Sequence, residues 1–84
     1  MDSTRRERLE AEVLVGQRAE ACLSFFDDFE RIMMARLWNA VQQNDVNGEK
    51  SIACVAVTVK NFKEYLQGFV NDGRVAEKEL KEEA

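Results

Sequence analysis

The stretch Ile52-Ala53-Cys54-Val55-Ala56-Val57-Thr58-Val59 decides the fold, because its composition and its surroundings point in opposite directions. Taken alone, β-branched residues alternating with small ones favour a strand. Taken together with the residues downstream, it opens a row, Ile52, Val55, Val59, Phe62, Leu66, Phe69 and Gly73, spaced alternately by three and four. Such spacing keeps to one side of a helix, and no strand produces it. The row predicts a helix over about 49–72 that takes in the whole β-branched run. Asn71-Asp72-Gly73 then reads as a left-handed glycine stop. Beyond it, Val75, Ala76 and Leu80 mark the better face of a shorter tail helix, about 74–82.

Upstream, Asn44-Asp45-Val46-Asn47-Gly48 gathers the residue types that tolerate turn conformations, so a hairpin turn is expected at about 44–48. Asp45 or Asn47 is the expected N-cap of the second helix, with Glu49 favourably placed in its first turn. A calcium loop does not fit this stretch. The Gly falls two positions early, and Ala56 stands where the closing Glu belongs.

Before the turn, Arg5 to Gln43 holds no Pro and a single Gly, which predicts one helix over about 4–43. Within it, Phe26, Phe29, Met33 and Leu37 form a row extended by Cys22 and Ala40, whereas Ser24, Asp27, Asp28 and Arg31 face away. Thr4 followed by Glu7 has the form of a capping box at its start. Gly16 marks either a kink or a place where another backbone comes close.

A turn near Val46 pairs residues whose numbers sum to about 92: Val59 with Met33, Leu66 with Phe26, Phe69 with Leu23 and Ala76 with Gly16. The basic start Arg5, Arg6, Arg8 then lies beside the acidic end Glu79, Glu82, Glu83. The expected architecture is all-α, a single 84-residue domain built as a long antiparallel helical hairpin with a short C-terminal helical tail. Two helices hide only one stripe each, which leaves Phe25, Ile32, Met34, Trp38 and Val41 outside. Soluble monomers rarely expose an apolar patch of that extent, so these five are the candidate contacts for self-association into a helical bundle, as a dimer or a larger ring, or for a partner. Trp38 points about half a turn away from Phe29, which assigns it to an intermolecular contact.

The residue inventory argues against catalysis. There is no His, no Gly-rich phosphate loop and no nucleophile elbow, and neighbouring Asp27 and Asp28 point about 100° apart on a helix. No catalytic, cofactor-binding or metal-binding residue is assigned. Cys22 and Cys54 are expected to be free, buried thiols in a reducing compartment. A net charge of -4, with Arg5, Arg6 and Arg8 interleaved by Glu, does not suit a phosphate-tracking surface. No apolar run of about 18 residues exists to span a membrane. The first residues lack the apolar core of a signal peptide, so residence in a cytosol is expected.

A resemblance rests on Gly16-Gln17-Arg18-Ala19-Glu20, Phe25-Phe26, Leu37-Trp38, Asp45 with Gly48-Glu49-Lys50, Gly73-Arg74-Val75-Ala76 and Leu80. On these positions the chain resembles a group of small, mostly uncharacterised α-helical proteins of tailed bacteriophages and prophages, encoded near head and packaging genes. The resemblance implies action in the bacterial host cytoplasm during infection, or in the virion. It carries over no functional residue. The expected function is that of a non-enzymatic, oligomeric phage assembly or accessory protein. A phage regulator or inhibitor of a host protein is the alternative, and a DNA-packaging subunit ranks third.

Overall fold

In a computed structural model of the chain, which describes residues 2–83, two helices account for all but a few of the described residues. Helix α1 runs Ser3–Gln42 and α2 runs Val46–Glu83. They lie antiparallel in a hairpin of 61 × 16 × 13 Å, the length a 40-residue helix reaches at about 1.5 Å per residue. The all-α hairpin read from the sequence is the observed fold. The expected domain also takes in Met1 and Ala84, which lie outside the described residues.

Both helices begin on an aspartate. The Asp2 carboxylate accepts from the Arg5 backbone N–H at 2.9 Å, so Asp2 caps α1 and the expected Thr4–Glu7 box is not used. With Asp2 as the cap, Thr4 already lies inside the first turn, where its hydroxyl has no cap to make. The hairpin turn is tighter than expected, comprising Gln43, Asn44 and Asp45, while Val46, Asn47 and Gly48 are helical. Asn44 takes the left-handed conformation (φ 56°), donating to the Val41 carbonyl, and Asp45 donates to the Ala40 carbonyl. This pair of bonds is a Schellman termination with Asn in place of the usual Gly.

Asp45 then turns round and caps α2. Its carboxylate accepts from Gly48 N–H at 3.0 Å and its carbonyl from Glu49 N–H at 2.9 Å, with Glu49 in the first turn as expected. A side chain at position 48 would collide with that carboxylate, since a Cβ there would lie 2.2 Å from Asp45 Oδ2. Asp45→Ala should therefore cost about 1 kcal/mol in urea unfolding. A change below about 0.3 kcal/mol would show that this cap is dispensable.

The β-branched run is helical throughout, and Thr58 donates its hydroxyl to the Cys54 carbonyl four residues back at 2.9 Å. No stop occurs at Gly73 either: α2 continues through it, and the separate tail helix is the last part of α2. Gly73 serves a close approach instead of a left-handed turn. A Cβ on it would lie 3.0 Å from Gly16 Cα and 3.1 Å from Glu12 O, and one on Gly16 would lie 3.0 Å from Gly73 Cα and from Phe69 O. Of the two meanings offered for Gly16, close approach is the observed one.

Gly16 against Gly73 sets the pairing sum at about 89 instead of the expected 92, a shift of nearly one helical turn. The cause is the shorter turn, centred before Val46. The seam on α2 shifts as well. Ile52, Val59, Leu66 and Gly73 face α1 as expected, but Ala56, Lys63 and Val70 alternate with them, and Val55, Phe62 and Phe69 stand exposed at the edge. Backbones that touch at glycine leave room in the seam for Ala and Val, not for a Phe every second turn. The best-buried cluster is Ala19, Leu66 and Val70, with Leu23 and Phe26 packed on it. On α1, Phe29 is only half-buried, as is Glu30 on its other side.

Candidate functional site

Because α1 and α2 are antiparallel, their seams are bordered by two flanks, each built from both helices. On α1 the seam follows Leu9, Gly16, Ala19, Leu23, Phe26, Met33, Leu37 and Ala40. Residues just to one side are Glu20, Asp27, Met34 and Val41, with Trp38 further round; those to the other are Val15, Cys22 and Phe29, with Phe25 and Ile32 further round. The five candidate contact residues are all exposed, Trp38 at 66% and Phe25 at 64%. They do not form one surface. Met34, Trp38 and Val41 occupy the flank near the turn, and Phe25 and Ile32 occupy the opposite flank.

The Trp38 flank is tied together by charge over its middle. Glu20 pairs with Arg74 at 3.4 Å, and Lys63 with Asp27 at 2.6 Å and Glu30 at 3.3 Å. From Gln67 toward the turn the helices leave a groove of about 590 Å³, lined by Leu23, Phe29, Met34, Leu37, Ile52 and Lys63 among others. The hydrogen bond from Lys63 to Asp27, reinforced by Glu30 and opposed by desolvation, raises the Lys63 pKa above its ordinary 10.5.

A raised folded-state pKa means that Lys63 contributes stability below the unfolded value and loses it as pH rises through the folded one. The stability difference between wild type and Lys63→Met should accordingly stay constant from about pH 7 to near 10 and shrink above 10.5. Urea unfolding at several pH values checks this, and a difference that grows in alkali would contradict it.

The opposite flank is apolar and has no ion pair across it, among the described residues, except at the free end, where Arg5 reaches Glu79 at 3.4 Å and Glu83 at 2.7 Å. The ring of Phe25 meets Phe26 edge-on at 5.4 Å and stacks with Phe29 at 6.4 Å, and Phe26 meets Phe62 of α2 at 5.3 Å. Further along, Val15 and Phe69 line one shallow groove and Phe69 and Tyr65 another. Tyr65 is the most exposed large side chain of the set, at 72%. Val55, Phe62 and Phe69 escape notice as contact residues in the sequence, because the heptad 55–62–69 reads there as the seam itself.

Asp27 turns to Lys63 and Asp28 to Arg31, so the adjacent aspartates do not converge. Among the described residues no group of three or more Asp, Glu or Cys gathers as for a metal ion. Cys22 and Cys54 are free, as expected, but both are exposed: a two-helix hairpin has one seam, and neither lies on it. No helix among the described residues is long and apolar enough to cross a membrane. No protein family, no curated protein and no solved structure matches this chain.

Proposed function

We propose that this chain performs no chemistry of its own and acts as an oligomeric assembly or accessory protein of a tailed bacteriophage, through contacts made by its helix faces. The observation that carries this reading is surface. The hairpin exposes 6425 Å², whereas a compact monomer of 9.6 kDa exposes about 5,100 Å². Among the described residues no large side chain is fully buried, and three of the eight buried hydrophobic residues are Ala. So thin a core offsets little of an ordering cost of about 1.5 kcal/mol per residue. Covering the apolar flanks supplies the missing burial. The partners are a second copy and a phage structural protein, in the bacterial host cytoplasm during infection or in the virion.

The test is native mass at micromolar concentration, expected at twice 9.6 kDa or more. A species of 9.6 kDa that persists at about 100 µM overturns self-association. The groove lined by Met34 and Leu37, with exposed Trp38 next to them in sequence, favours one second reading, a regulator that receives an amphipathic helix of a host protein. That reading expects a monomer that captures one host protein from lysate and loses it on Trp38→Ala, with its helical signal intact.

A further inference from the structure

We infer that the flank carrying Phe25, Ile32, Phe62 and Phe69 receives a second copy of this chain. In the pair, α1 of each copy lies against α2 of the other with both turns at the same end, which closes a four-helix bundle. This rests on the self-association proposed above and specifies its surface and its orientation.

Area comes first. The hairpin exposes about 1,300 Å² more than a compact chain of its mass, and a standard interface needs only about 800 Å² from each partner. The flank supplies aromatic residues, which are enriched at interface cores, with Tyr65 at the rim where its hydroxyl stays wet. The Trp38 flank is the poorer choice for a long helix-to-helix contact, since Glu20–Arg74 and Asp27–Lys63–Glu30 already span its middle.

Charge then fixes the orientation. The outward positions of this flank on α1 carry Arg8, Arg18 and Arg36; those on α2 carry Asp72, Glu79 and Glu83. Glu12 is the one acid of α1 on this side, and it sits toward the seam. Arg18 and Asp72 are exposed and take part in none of the ion pairs among the described residues. A two-fold axis along the hairpin leaves every residue at its own height while placing α1 over the partner copy's α2. Residue numbers summing to about 89 then lie level, which brings Arg18 to Asp72 of the other copy and Arg8 toward its Glu79, a carboxylate that Arg5 of the same copy already pairs. A two-fold axis across the middle of the hairpin would stack α1 on α1 and α2 on α2 end for end, bringing Arg8 level with Arg36 of the other copy and leaving Arg18 and Asp72 without an opposite charge. In the favoured orientation the Trp38 flanks remain outside.

Arg18→Glu should weaken the dimer at least about tenfold, and adding Asp72→Arg should restore it to within about threefold. Neither residue supports the hairpin, so circular dichroism should not change. Trp38, the single Trp, should keep its emission maximum as the dimer forms on concentration. Nitroxide labels at Gln43→Cys, in a chain with Cys22→Ala and Cys54→Ala, should lie within about 30 Å of each other, since four packed helices are only about 20 Å wide. A dimer with labels near 61 Å, the hairpin length, overturns the orientation. A blue shift of Trp38 on association, or an Arg18→Glu dimer of undiminished affinity, overturns the surface. All of these leave self-association standing, whereas a monomeric wild type removes both.

Discussion

Gly73→Val should force the two arms of the hairpin apart and remove about 3 kcal/mol of stability, the upper end of what overpacking costs. The effect has to be steric. In a helix interior Val is intrinsically better than Gly by a few tenths of a kcal/mol, so propensity alone predicts the opposite sign. What decides is that the first added carbon would meet Gly16 Cα at 3.0 Å and Glu12 O at 3.1 Å, backbone atoms that cannot rotate away. Gly68 is the internal control. It lies in the same helix, and a Cβ there meets nothing within 4 Å. Gly68→Ala should accordingly stabilise by about 1 kcal/mol. Urea unfolding of both variants followed by circular dichroism is the measurement. Equal and positive effects would mean that Gly73 is tolerated only as a flexible residue and that the close approach does not exist in solution.

Leu66→Ala is the second large effect, at about 3 kcal/mol. Leu66 belongs to the best-buried cluster among the described residues, with Ala19 and Val70 and, partly buried, Leu23 and Phe26. A buried Leu replaced by Ala loses transfer free energy and leaves a cavity, together about 2–5 kcal/mol. For a chain of this length, such a loss corresponds to a fall in midpoint temperature on the order of 10 °C or more. The neighbouring Tyr65 makes the informative comparison, because it is 72% exposed in the hairpin. Tyr65→Ala should leave the dilute protein nearly unchanged and lower stability only where the chains associate. Thermal unfolding at two protein concentrations about a hundredfold apart separates the cases: the Leu66 deficit should be the same at both, and the Tyr65 deficit should appear only at the higher. A Tyr65 deficit of full size in dilute protein would place that side chain within the hairpin's own packing.

Much of the fold was legible because it is local. The helical reading of Ile52 to Val59 came from a spacing sustained over about twenty residues, and the hydroxyl of Thr58, a natural competitor of the helix, is absorbed by the carbonyl of Cys54. Asp45 as cap and Glu49 beside it follow from chemistry within four residues. Where local signals misled, a competing local signal won. Asp2 displaced the Thr4–Glu7 box by capping two residues earlier, and Asn44 with Asp45 completed the reversal before Val46, Asn47 and Gly48 were needed.

The candidate surface was only half legible. Phe25, Ile32, Met34, Trp38 and Val41 stand outside the seam as the helical spacing of α1 indicated, but nothing in their spacing says that a second helix divides them between two flanks. That division depends on which side of α1 the return arm covers. The α2 half of the apolar surface was invisible for a related reason. The rows 55–62–69 and 56–63–70 are one residue apart, and each looks like a seam with Ile52, Val59, Leu66 and Gly73.

The sequence by itself determined a helical hairpin with its turn near residues 44–48, a cap at Asp45 or Asn47 and an excess of apolar positions over what one seam hides, all of which follow from contacts within a few residues along the chain. Only the tertiary structure decided the register and the choice between the two rows on α2. Those depend on how closely two backbones approach, and Gly16 meeting Gly73 admits Ala56 and Val70 to the seam while the rings of Phe62 and Phe69 are turned outward, where another molecule can meet them.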